Sequence, residues 1–121
     1  MTNSRQRIRT TRHLRRQLAV RFRRFGLTET GVLRSVRQAL KEEVLYPTRI
    51  YWVRLMKLNT DVRIKANTKD GSINGDTLYA VVKPSKDGTF YSVTTVLLRR
   101  ESQIAQCDVL VDAKDFRYQI L

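Results

Sequence analysis

The sequence predicts an α+β domain: an N-terminal α-hairpin packed on one face of an antiparallel β-sheet of four or more strands. Three patterns point there. Apolar residues recur at helical spacing through Leu14, Leu18, Phe22 and Phe25, and again through Val32, Leu33, Val36, Ala39 and Leu40. After Pro47 the chain turns to runs rich in Val, Ile, Tyr and Phe, residues that suit a half-buried pleated surface. Those runs are punctuated by Asp70–Gly71, Asn74–Gly75 and Asp87–Gly88, the dipeptides of tight hairpin turns. Helices first and strands after are the pattern of helices segregated to one side of an antiparallel sheet.

Residues 1–9 are polar and basic and are expected to be a flexible lead-in to a single domain over residues 10–121. The first helix should occupy about residues 10–25 and stop at Gly26, which can take the left-handed conformation closed to most side chains. Thr28 can cap a second helix over about residues 28–43, with Glu29 near its positive end. Strands are expected at 49–57, 61–66, 77–83, 89–99, 107–112 and 116–121. The clearest hairpin joins 77–83 to 89–99 through the "PSKDG" turn.

The charge is segregated. The chain of 121 residues holds 24 Lys plus Arg against 11 Asp plus Glu, a net charge of +13. Nine of the cations are arginines within residues 1–25, where no acid occurs. The remaining 15 cations face all 11 acids, so residues 26–121 carry only +4. Solubility does not require such an imbalance. Guanidinium groups bind phosphate in bidentate fashion, so a nucleic acid is the expected partner. An anionic surface or an acidic protein partner would satisfy the same charge. No apolar run is long enough to span a bilayer, and no secretory h-region is present, so a cytoplasmic protein is expected. The start is as Arg-rich and acid-poor as an organelle transit peptide, but its arginines continue into the amphipathic helix.

Cys107 and His13 are each the only residue of their kind, which leaves no internal disulfide and no Cys/His zinc site. No Walker loop, dinucleotide fingerprint, GxSxG or HExxH occurs, and the acids are scattered, so neither a cofactor nor a metal is expected. What remains is metal-independent chemistry on RNA, whose own 2′-OH can attack the adjacent phosphorus. That reaction needs a group to accept the proton, cations for the phosphorane, and an acid for the leaving 5′-oxygen. His13 would share a helical face with Arg16, Gln17 and Arg21, and its imidazole is a natural base. The plain alternative is a solvated surface histidine. Tyr91 and Tyr118 fall on strands, and Lys83, Arg99 and Arg100 at strand ends; a strand tyrosine usually packs instead. Trp52, Tyr46, Tyr51 and Tyr79 can stack on bases or fill the core.

The stretches "RHLRRQLAVRFRRFGLTETGVLRSVRQAL" (12–40) and "GDTLYAVVKPSKDGTFYSVTTVLLRR" (75–100) resemble the RegB-like phage endoribonucleases and the wider RelE-type ribonuclease class. The resemblance implies an α-hairpin on an antiparallel sheet and cleavage of RNA, mRNA on or off the ribosome, to a 2′,3′-cyclic phosphate without a metal. It implies catalytic roles for His13, for Lys83 in the Val-Lys-Pro strand, and for Tyr118 of the C-terminal strand, with Arg16 or Arg21 beside the histidine. Two departures stand out. The chain has no second histidine, and His13 lies nearly a helical turn further from Gly26 than the family pattern, which leaves Gln17 near that place. The expectation is therefore an RNA-binding endoribonuclease that grips its substrate with Arg12, Arg15, Arg16, Arg21, Arg24, Arg99 and Arg100. The alternatives are a non-catalytic nucleic-acid or ribosome-binding protein, and a phage host-takeover protein docking an acidic partner.

Overall fold

A computed structural model of the chain describes residues 8–65, 72–104 and 108–119, the side chains of 103 and 117–119 excepted. The α+β architecture is present: β1 (Ile8–Thr10), α1 (Arg12–Val20), α2 (Glu29–Ala39), β2 (Tyr51–Lys65), β3 (Ser72–Pro84), β4 (Tyr91–Arg99) and β5 (Val109–Gln119). Ile8 and Arg9, expected in the flexible lead-in, belong to β1, and Ile8 is fully buried.

Thr11 caps α1, its hydroxyl accepting from the Leu14 N–H at 3.1 Å. The helix is shorter than its apolar period suggests. Beyond Val20 the chain tightens into a 3-10 turn at Arg23–Phe25 and ends at Gly26 with φ of +71°. A 3-10 turn stacks residues three apart, and here both Phe22 and Phe25 enter the core with ring centroids 6.3 Å apart. Thr28 caps α2 by accepting from the Gly31 N–H at 3.1 Å.

The five-stranded sheet has the order β1-β4-β3-β2-β5. The β2–β3 and β3–β4 pairs are antiparallel, whereas β1 joins β4 and β5 joins β2 in parallel. The sheet is thus mixed rather than wholly antiparallel. A parallel neighbour requires a crossover, which the chain makes between Arg99 and Val109, from one side of the sheet to the other. Turn dipeptides announce hairpins, and neither parallel pairing uses one. The expected strand pairs 49–57/61–66 and 107–112/116–121 are single strands with register shifts within them.

Asn74–Gly75 is not a turn but lies inside β3. Gly75 is needed there for another reason: a Cβ would stand 2.7 Å from the Arg99 backbone. Asp70–Gly71 lies outside the described residues. The "PSKDG" turn is as expected. Gly88 adopts φ of +73°, and the Asp87 carboxylate accepts from the Ser85 and Thr89 hydroxyls at 2.7 and 2.8 Å. The Ser85 and Thr89 donors hold the Asp87 carboxyl down at about 2.

The helices cover one sheet face, where Leu14, Phe22, Val36, Val53, Leu78 and Val93 are among the core residues. β1 pairs with only the first three residues of β4, which would leave the rest of that edge open. Gln17 completes it. Its Oε1 accepts from the Val96 N–H at 3.0 Å and from the Thr95 hydroxyl at 2.6 Å, in place of a neighbouring strand. A buried amide at this point also fixes how α1 lies along β4.

Candidate nucleic-acid interface

Leu14, Gln17 and Leu18 take one side of α1 into the protein. The 3.6-residue period then sends Arg12, His13, Arg15 and Arg16 to solvent, and all four are exposed. Arg21 is half-buried, and Arg23 and Arg24 are exposed. Arg15 reaches Glu29 at 3.5 Å. Among the described residues, Arg12, Arg16, Arg21, Arg23 and Arg24 have no carboxylate within ion-pair distance. Arg24 is instead positioned by neutral groups: it lies 4.8 Å from the Phe25 ring centroid and donates to the Arg63 carbonyl at 3.4 Å.

That last contact joins the end of the α-hairpin's first helix to the outer part of β2. Val20, Arg21 and Arg24 there face Arg63, Ile64 and Lys65 across a groove. Arg63 and Lys65 escaped sequence reading because they lie far from the arginine-rich start. Their one signal is the alternation of Arg63 and Lys65 about Ile64, which marks a strand with a cationic side.

The helix-free face of the sheet also carries cations, but differently. Arg54 makes a bidentate pair with Asp112 at 2.7 and 2.8 Å, pairs with Glu101, and lies 4.6 Å from the Phe116 ring centroid. Lys57 bridges Asp76 at 3.0 Å and Glu101 at 2.7 Å. Asp76 also accepts from the Thr77 hydroxyl at 2.8 Å and the Glu101 N–H at 3.1 Å. The hydrogen bond to Asp112 raises the Arg54 pKa against the opposing effect of burial, and those to Glu101 and Asp76 raise that of Lys57. Burial pushes the Asp76 carboxyl up, but Lys57, Thr77 and the Glu101 N–H outweigh it and hold it below the usual carboxylate range. Arg100 is held by Asp61 at 2.7 Å. Tyr79 is fully buried 5.5 Å from Trp52, and burial raises its hydroxyl pKa; Tyr51 is buried too, so these two tyrosines serve the core. Tyr46 remains exposed beside Arg49, and Trp52 is half-buried.

The residues expected to act together are dispersed. Lys57, Thr77 and Arg99 form one cross-strand row, and the register places Tyr118 next to Lys57 at its end; the Tyr118 side chain lies outside the described residues. Lys83 is exposed opposite Ser92, six positions along β3 from Thr77. Six strand residues span about 20 Å. Arg99 donates to the Leu98 carbonyl at 2.8 Å. His13 sits on α1, and its side chain makes no hydrogen bond to another described residue. Arg16 and Val20, three and seven positions on, share its side of the helix. Among the described residues, no group of three or more His, Cys, Asp or Glu could hold a metal ion, and no helix is long and apolar enough to cross a membrane.

Compared with protein-family models, curated proteins and solved structures, the chain has no match.

Proposed function

We propose that the protein binds RNA through the arginine-covered surface of α1. The observation that carries this is the contrast in pairing: Arg54, Lys57 and Arg100 are matched by carboxylates, while most arginines of α1 and the following turn have none beside them among the described residues. Like charges crowded without partners repel one another, and a polyanion relieves that repulsion. The chain resemblance to RegB-like and RelE-type ribonucleases supports RNA as that polyanion. The test is the affinity of the full chain for single-stranded RNA as a function of salt. With four to six phosphates contacted, log K should fall with log[salt] at a slope of about −3 to −4. Arg12→Glu with Arg16→Glu should weaken binding and flatten the slope by about 1.4. Binding that ignores salt would overturn the reading.

A second reading, cleavage, has the exposed His13 beside Arg16 in its favour. The 2′-oxygen would attack phosphorus as His13 takes its proton. The P–O5′ bond would break, the leaving oxygen taking a proton from water, to give a 2′,3′-cyclic phosphate and a 5′-hydroxyl. Incubation with end-labelled RNA in EDTA tests it. Cleavage that stops in 2′-O-methyl RNA supports 2′-OH attack, and intact RNA leaves the binding function alone.

A further inference from the structure

The groove at the end of α1 has features that the arginine count does not explain. It joins two elements from distant parts of the chain, with Val20, Arg21 and Arg24 on one side and Arg63, Ile64 and Lys65 on the other. Four of its six described lining residues are cations, and none of the six is an acid. Two of those cations are already held in place by uncharged groups: Arg24 by the Arg63 carbonyl and the Phe25 ring, and Arg63 by the Asn74 side-chain oxygen at 3.4 Å. Positioned guanidiniums lose less freedom when they meet an anion. Beside them Val20 is 81% exposed, a β-branched apolar side chain left in water between cations. Cations that converge next to an unburied apolar group match a ligand with both a charged and an apolar part.

Resting on the RNA-binding reading, we infer that this groove seats one phosphodiester unit of a single RNA strand, the phosphate among Arg21, Arg24, Arg63 and Lys65 and the ribose or base against Val20. The cavity measures about 230 Å³, below the roughly 300–1,000 Å³ of pockets that enclose a whole small molecule. It is open, so a polymer can pass through it. A duplex, whose bases are stacked inside, offers only its phosphates and leaves Val20 uncovered. Base faces of a single strand are free to pack on a side chain. A strand leaving the groove along α1 meets Arg16 and then His13, seven positions and about 10 Å from Val20.

The experiment measures binding of the full chain and its variants to a single-stranded RNA and to the same sequence as a duplex, across salt. Arg63→Glu with Lys65→Glu should weaken single-strand binding by at least about tenfold and flatten the salt slope by about 1.4. Val20→Glu, which removes no cation and sits on an exposed site, should weaken it as well, whereas Val20→Ala should lower affinity only slightly. The duplex should bind more weakly and respond little to Val20→Glu. If the Arg63/Lys65 and Val20→Glu variants bind single strands like the wild type while Arg12→Glu/Arg16→Glu does not, the groove inference falls and the α1 reading stands. If duplex binding responds to Val20→Glu as strongly as single-strand binding, the single-strand assignment falls. If the wild type binds no RNA, or binds only anionic vesicles or an acidic polypeptide, both fall. Thermal melts of each variant separate lost binding from lost folding.

Discussion

The guanidiniums of α1 and that of Arg54 in the sheet are the same chemical group in two situations. Arg54 is 21% exposed, locked between Asp112 and Glu101 and packed over Phe116. Arg16, on α1, is exposed and has no carboxylate beside it among the described residues. Arg54 and Lys57 tie together β2, β3, β5 and the residues after β4, because their acids come from Asp76, Glu101 and Asp112. Their charge is spent within the fold. The α1 charge is left over, and folding alone gives no reason for it. Net charge therefore misleads unless it is read after pairing: what singles out a binding surface here is the cations without partners.

Four changes test that division. The largest effect is expected at His13, if the protein cleaves RNA. His13→Ala should lower the cleavage rate by about 10²–10⁴-fold, with RNA affinity nearly unchanged, since an imidazole adds little to a surface of arginines. Wild-type cleavage by that variant removes His13 from the chemistry, and Tyr118→Phe then decides whether the sheet carries it.

Next comes the α1 surface itself. Arg12→Glu with Arg16→Glu should reduce RNA affinity by about ten- to a hundredfold. Its melting temperature should hold or rise, because the change relieves like-charge repulsion. A marked loss of stability would mean that these arginines serve the fold after all.

Arg54→Ala should behave in the opposite way. It strands Glu101 and Asp112 and uncovers Phe116, so unfolding by denaturant should show a loss of about 1–2 kcal/mol, with RNA affinity intact. Lost affinity without lost stability would place the sheet face in the interface.

The smallest effect is in pH. The Asp76 carboxyl is lowered in the folded protein, so the stability it contributes is present above its unfolded value of about 4 and is lost as pH falls through the lower folded value. Melting temperature should decline on acidification below about pH 4, and Asp76→Asn should blunt that decline. An unchanged acid limb in the variant would show that the Lys57–Asp76 pair adds nothing measurable.

Neighbouring residues were enough to reveal much of this protein. The Leu14–Leu18–Phe22–Phe25 stripe, the Thr28 cap, the Gly26 stop and the Gly88 turn were all legible because each depends on residues within a few positions of one another. The segregated arginines were legible for the same reason. The sheet was legible as a set of strands but not as a pairing. That β5 lies parallel to β2 depends on a crossover that carries no local signature. Gln17 reads as one more polar residue on a basic helix until Val96, 79 positions away, supplies the N–H it accepts. Asn74–Gly75 reads as a turn until the Arg99 backbone occupies the space a side chain would need.

The sequence by itself determined the helical periods, the caps, the strand-forming runs and an excess of arginine at one end, because these follow from backbone preferences and side-chain spacing over a turn or two. Only the tertiary structure decided which cations are neutralised and which are not. Arg54 and Asp112 are 58 positions apart, and Arg24 and Arg63 are 39 apart. Electrostatic pairing depends on distance in space, and the chain sets that distance only when the sheet closes.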